Sequence, residues 1–291
     1  MAGELITADL QAEFRALLFS QTSGIALESP GPEGLLGLAD YRISDEFRPQ
    51  AHGLIPTGPD WFGGISVRMP FYISGSTAAQ IIGRRDQLAT AFTPSVGGDL
   101  EPFVMQVAGA LYRWNVRPAR FSAGTHDTLK YGYLRAAGEL RVLDPYRYAN
   151  GEQTGSTGLA STSGGLTYPS TFPLTYGTVS SGSVICTNTG TAPARLTGRI
   201  TALSGGLTSP RATLIDTGEV LAFDGLVLAA GQWLDLDWLD RTVLLNGTAS
   251  RSSALTRPLS SWFTLAPGAN TVQLSGGGNG LLELAWRSAW T

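Results

Sequence analysis

Histidine is the side chain most easily tuned for proton transfer near neutrality, and this chain has two, His52 and His126. His126 precedes Asp127 in "SAGTHDTLKYG", a stretch that reads as a turn. Neighbouring side chains of an extended segment point apart, so the pair does not make a proton relay. His52 sits in a Pro/Gly-rich loop without an evident partner. No nucleophile elbow, zinc-protease helix, phosphate-binding loop or EF-hand loop is present. The single cysteine, Cys186, excludes an internal disulfide and a cysteine-based metal site. Its setting in "GSVICTNTG" reads as a small core position.

Asp235, Asp237 and Asp240 in "LDLDWLD" are the closest approach to a carboxylate constellation. Asp235 and Asp237 fall on one strand face, about 7 Å apart, within reach of a glycosidase pair or a Ca²⁺ site. The alternation of Leu234, Leu236 and Trp238 with these aspartates explains them fully as the wet half of a strand. No catalytic, cofactor-binding or metal residue is therefore assigned. Trp233, Trp238, Trp262, Trp286 and Trp290 gather toward the C-terminus. Exposed, such rings stack on sugars; buried, they fill a core. Trp233, Trp262 and Trp290 are the candidates for contact with a glycan or a partner, and Trp290, at the chain end, for a neighbouring subunit.

Those residues must be carried by β structure. The 291 residues include 37 Gly and 16 Pro at 43% hydrophobic content, a turn-rich β composition with enough apolar material for a sizeable core. Twenty basic residues oppose 23 acidic ones, for a net charge of −3, and neither half is basic enough to bind nucleic acid by charge. No basic segment precedes a long apolar run, and no stretch is long enough to span a membrane, so neither a signal peptide nor membrane insertion is expected. Synthesis and folding in a cytoplasm are the expectation.

Along the chain, residues 4–19 read either as a helix with Leu10, Phe14, Leu17 and Leu18 on one face or, in their second half, as a strand. Val67, Met69, Phe71 and Ile73 alternate with polar neighbours as a half-buried strand. The clearest helix follows: Thr77 as N-cap, Gln80 completing a capping box, Ile81, Leu88 and Phe92 on one face, Pro94 as the stop. "FVMQVAG", "LYRWNVRPARF" and "KYGYLRAAGELRVLDPYRYA" read as further strands, closed by Asp144-Pro145. This order predicts a β-barrel-like α+β domain with one packed helix over 1–149. Residues 150–166 are mostly Gly, Ser and Thr, with almost no large apolar group, and read as a linker. Residues 167–291 read as short strands with turn signals at "DTGEV", Asn246-Gly247 and Pro267-Gly268, which predicts a β-sandwich.

The ordered series in the second domain resembles the C-terminal domain of siphovirus distal tail proteins, the phage minor tail proteins. The positions carrying the resemblance are Asn188, Gly190, Thr217-Gly218, Gly231-Gln232, Asp237, Arg241, Val243, Asn246-Gly247, Trp262, Leu265, Pro267-Gly268, Asn270, Trp286, Arg287 and Trp290. The first domain is similar to that family through "YRISDEFRPQ…LATAF" and "GELRVLDPYRYA". The resemblance implies a mostly β protein whose second domain is galectin-like, and a structural virion protein at the tail tip rather than an enzyme. It implies a homo-oligomer, a hexameric ring formed through the N-terminal domain. The partners it implies are the tail tube protein, the baseplate hub or tail-associated protein, and the tape measure protein or tail fibres. DNA would meet the chain only in transit through the channel, whose lining should then avoid a strongly basic surface. The alternative reading is a carbohydrate-binding module contacting cell-wall glycans.

Overall fold

The computed structural model describes residues 2–29, 31–48, 52–124, 126–163 and 178–291. The chain divides into two bodies, Met1–Asn150 and Gly151–Trp290.

In the first body one antiparallel sheet runs in the order Leu17–Phe19, Ala12–Phe14, Glu101–Val107, Ala110–Ala123, Tyr133–Val142, Ile65–Ser74, Ile25–Leu27. A bridge between Ser20 and Ile25 brings the two ends of that path together, so the sheet nearly closes on itself. The alternation read for Val67, Met69, Phe71 and Ile73 holds, since all four are fully buried. The helix spans Ala78–Ala91. Thr77 caps it by accepting from the Gln80 N–H at 3.2 Å. The reciprocal half of the box is displaced by one residue: Gln80 Oε1 accepts from the Ser76 N–H and hydroxyl rather than from Thr77. Ile81, Leu88 and Phe92 are buried in the core. The Phe92 ring centroid lies 5.9 Å from those of Phe14, Phe71 and Phe121.

The helical reading of residues 4–19 is corrected: Ala12–Phe14 and Leu17–Phe19 form a hairpin. Arg15 and Ala16 at its tip both take the left-handed conformation, φ 50° and 58°, which breaks any helix there. Arg15 is held in place by a bidentate pair with Glu101, at 2.6 and 2.5 Å. It also donates to the carbonyls of Ala91 and Thr93 at the helix end. The hydrogen bonds from Arg15 hold the Glu101 carboxyl below its ordinary value, against the effect of burial. A depressed carboxylate contributes stability above its unfolded pKa, lost as pH falls through the folded one. Glu101→Gln is therefore expected to lower stability by about 1.5 kcal/mol at neutral pH. The gap from wild type should close below about pH 4, as read by denaturant titrations across pH.

The second body is built on two 19-residue strands, Leu196–Leu214 and Gly268–Trp286. They pair with each other along their length, with register shifts between Ala202 and Leu207 and between Thr208 and Arg211. At one end Gln153–Gly158 and Trp233–Asp237 flank the pair, followed by Thr242–Leu245 and Ala249–Ser250. At the other end the flanking strands are Ser183–Asn188, Glu219–Ala222 and Val227–Leu228. Between the two ends lie the glycines that let the ribbon turn over. Gly206 and Gly278 both have positive φ, and a Cβ on Gly278 would lie 2.3 Å from the Gly206 carbonyl oxygen. Apolar side chains from both ends, among them Ile200, Leu214, Leu234, Val272 and Leu282, are fully or almost fully buried.

The linker reading of 150–166 is corrected in part. Gln153–Gly158 is a strand paired with Leu281–Trp286, and Ser161–Ser163 pairs with Thr178–Ser180. A ladder satisfies the backbone without large side chains. Here small residues are required: a Cβ on Gly155 would come within 2.8 Å of Val184 and 3.4 Å of the Trp286 ring. The first part of the expected sandwich, residues 167–177, lies outside the described residues.

Candidate functional site

The strand Trp233–Asp237 puts Leu234 and Leu236 into the core and Trp233, Asp235 and Asp237 on the outer face. That face carries a groove of about 870 Å³ whose charged lining is Arg199, Asp235, Asp237, Asp240 and Glu283. Both carboxylate oxygens of Asp235 are engaged: one accepts from Arg199 Nε at 2.7 Å, the other from Trp233 Nε1 at 2.9 Å. The Arg199 guanidinium lies 5.2 Å from the centroid of the Trp233 ring. Asp237 accepts from the N–H groups of Leu239 and Asp240, so it caps a turn. The paired aspartates thus serve the strand and its turn. Among the described residues no group of three His, Cys, Asp or Glu side chains is placed to hold a metal ion. His52 is exposed; His126 opens a 3₁₀ turn, His126–Tyr131, and its side chain lies outside the described set. Cys186 is fully buried, and burial pushes its thiol up to about 12. A thiol so raised is a core side chain, not a nucleophile.

The three tryptophans singled out above fall in different settings. Trp233 lies on the outer face. Trp262 packs edge-on against buried Trp238, ring centroids 5.6 Å apart, on the inner side of that sheet. Trp290 is half-buried in Ala289–Trp290. Trp233 and Trp262 therefore do not form one platform.

The residues that carried the resemblance do converge, but as joints. Asn188 is almost fully buried. Its Nδ2 donates to the carbonyls of Ala192 and Leu265, at 2.8 and 3.1 Å; its Oδ1 accepts from the N–H groups of Gly190 and Ala289, at 3.0 and 3.3 Å. Asn270 locks the "LAPGAN" turn in the same way: Oδ1 accepts from the Ala266 N–H, and Nδ2 donates to the Ala266 and Gly268 carbonyls. Gly268 takes φ 103°, as a turn glycine there must. Trp286 Nε1 donates to the Thr187 carbonyl at 2.9 Å. Sequence reasoning missed Ser288, fully buried, whose hydroxyl accepts from the Thr189 N–H, the Thr189 hydroxyl and Gln153 Nε2. A lone serine between Arg287 and Ala289 gives no periodic signal by which to find it.

A nearly closed, helix-plugged sheet followed by a sandwich whose recurrent polar residues are joints defines a two-body β scaffold. Its second body carries a known signature: residues 189–290 match the family model of the siphovirus-type tail component, C-terminal domain. No curated protein sequence matches the chain. Among solved structures, the Dit protein (gp 19.1) of phage SPP1, described as a paradigm of the hub adsorption apparatus in Gram-positive infecting phages, shares the fold end to end. The TM-score is 0.67 at 12% identity, over 98% of this chain and 100% of that one. A chain of the phage P2 baseplate in its activated conformation with Ca aligns at TM-score 0.51 and 9% identity, over 96% and 98%. The corresponding baseplate with Sr gives 0.53 at 10% identity, over 96% and 98%. The resemblance read from the sequence is thus confirmed by the family model over residues 189–290 and, as fold, over nearly the whole chain. The expected fold class stands: mostly β, barrel-like with one packed helix, then a galectin-like sandwich.

Proposed function

We propose that this chain is a structural virion protein of the distal tail of a long, non-contractile phage tail, and that it is not an enzyme. In this reading it assembles in the host cytoplasm as a hexameric ring at the tail tip. The ring joins the tail tube to the baseplate hub, with the tape measure protein or tail fibres as further neighbours, and DNA passes through its channel. One observation carries the reading: a single chain combines a family-matched tail-component domain with an end-to-end fold likeness to a phage hub protein. The use of the recurrent polar residues as internal joints supports it, because the scaffold itself then accounts for them. Electron microscopy of the purified chain, alone and mixed with tail-tube protein, is expected to show six-fold rings. Monomers in both samples would overturn the reading.

A glycan-binding role for the second body is favoured by one feature, the outer groove with Trp233, Arg199 and Asp235 already tied together at its edge. In that role, Trp233→Ala should weaken binding to host cell-wall fragments by tenfold or more, about the value of one aromatic stacking contact. Equal binding by variant and wild type in isothermal titration removes it.

A further inference from the structure

The first body carries an arginine-rich surface in which one carboxylate, Glu139, stands among four arginines. On the outer face of three neighbouring strands, Arg117 stands directly opposite Arg141; one row on, Arg120, Glu139 and Arg68 stand side by side. All four arginines are exposed. Among the described residues none of the four is in an ion pair, and neither Glu139 nor Asp99 of the adjoining loop is bonded to them. Arg117, Arg120 and Arg141 line a groove of about 480 Å³ with residues of the 94–98 loop, where Val96 is fully exposed. Like charges directly opposed across a ladder destabilise a sheet. In a chain of net charge −3, such a cluster is explained if an acidic surface covers it.

The same body holds the complementary surface. Residues 40–48 and 52–63 form an arm, a two-stranded ribbon in which Tyr41–Arg42 pairs with Trp61–Phe62 and Asp45–Phe47 with Leu54–Pro56. Phe47 is 87% exposed and Trp61 and Ile43 each 62%. The carboxylates of Asp40, Asp45, Glu46 and Asp60 are exposed and unpaired among the described residues. No hydrogen bond, ion pair or ring contact among the described residues ties 42–61 to anything outside the arm except at its root, where Phe62 meets Tyr146. An isolated two-stranded ribbon is marginal in water, so a further surface packed on the arm would stabilise it.

We propose that the arm of one copy docks, through Asp45, Glu46 and Phe47, on the arginine surface of a second copy around Arg117, Arg120 and Arg141. The two surfaces differ, so the contact is heterologous, the kind that closes a ring when the rotation permits. The inference rests on the ring reading above. It also accounts for how so basic a face coexists with passing DNA: the arm covers it, and phosphates do not reach it.

The test is self-association of the full chain, measured by light scattering and sedimentation velocity over a concentration series at low and high salt. Four proteins are compared: wild type, R117E/R141E, D45K/E46K, and the combination of all four changes. Each reversed pair is expected to weaken association by about tenfold or more, with recovery in the combination and a steep loss with salt in wild type. R117Q/R141Q, with unaltered melting temperature, stands in if the reversals disturb folding. If wild type associates and both reversed pairs associate equally well, the ring survives and this contact falls. If wild type stays monomeric throughout, alone and with tail-tube protein, the ring reading falls and this contact with it. Tight binding of a short DNA duplex lost in R117E/R141E, with association unchanged, would assign the arginines to phosphate and overturn the proposal.

Discussion

Gly190→Ala is expected to cost the second body about 3 kcal/mol or more, a large share of the roughly 5–15 kcal/mol that holds a domain together. The reason is steric. A Cβ at this position would lie 1.7 Å from the Ala289 carbonyl oxygen, 2.5 Å from its carbon and 2.8 Å from its nitrogen. All three atoms are backbone, so no rotamer change relieves the clash. Nor can Ala289 simply withdraw: its carbonyl accepts from the Ala192 N–H at 3.0 Å, and its N–H donates to Asn188. Moving it would open both bonds in a fully buried place. Five of the seven tryptophans lie in this body, so fluorescence-detected urea unfolding reports on it directly. Gly151→Ala is the control, because a Cβ there meets nothing within 4 Å. Equal midpoints for the two variants would refute this account of the joint.

The sequence disclosed most where one rule decided the outcome. The buried alternation through Val67 to Ile73 and the capped helix after Thr77 are of that kind, because side-chain period and capping chemistry are local. Asn246-Gly247 behaves likewise, with both residues at positive φ, 51° and 75°. The reading failed where tertiary contacts overrode composition. Residues 153–158 lack large side chains, yet they form a strand, because Trp286 and Val184 occupy the space that side chains there would need. The hairpin tip at Arg15 and Ala16 has no glycine to announce it; partners 76 to 86 residues away hold it. Of the candidate contact residues, the tryptophans were legible as residues but not as a site, since placing Trp233 outside and Trp262 inside depends on strand parity and on a loop that returns to Trp238. The arginine surface was hidden for the same reason. Arg117 and Arg141 are neighbours only through the register of two strands, and the register is not written in either strand alone.

Asn188 supplies the sharper chemical test of the joint, since its amide is matched to its surroundings atom by atom. One terminal atom faces two N–H groups, and the other faces two carbonyls. Asn188→Ala leaves three buried backbone groups without partners, the N–H groups of Gly190 and Ala289 and the carbonyl of Ala192, while the Leu265 carbonyl keeps its bond from the Ala194 N–H. The loss should cost about 3 kcal/mol at any pH. Asn188→Asp is nearly isosteric but places an oxygen against the carbonyls of Ala192 and Leu265. Ionised, that oxygen is repelled by both and buried without a counter-charge, so the folded state holds its proton and raises its pKa. A carboxyl raised on folding contributes stability at low pH that is lost as pH climbs from its unfolded value, about 4, to the folded one. When protonated, the Asp hydroxyl restores one of the two donations. The aspartate variant should therefore be at least as unstable as the alanine variant at pH 7. At pH 4 it should regain about 1–2 kcal/mol relative to wild type at the same pH, while the alanine variant regains nothing. Denaturant titrations of the three proteins at the two pH values decide it. An aspartate variant as stable as wild type at pH 7 would mean that the amide is not holding these four groups.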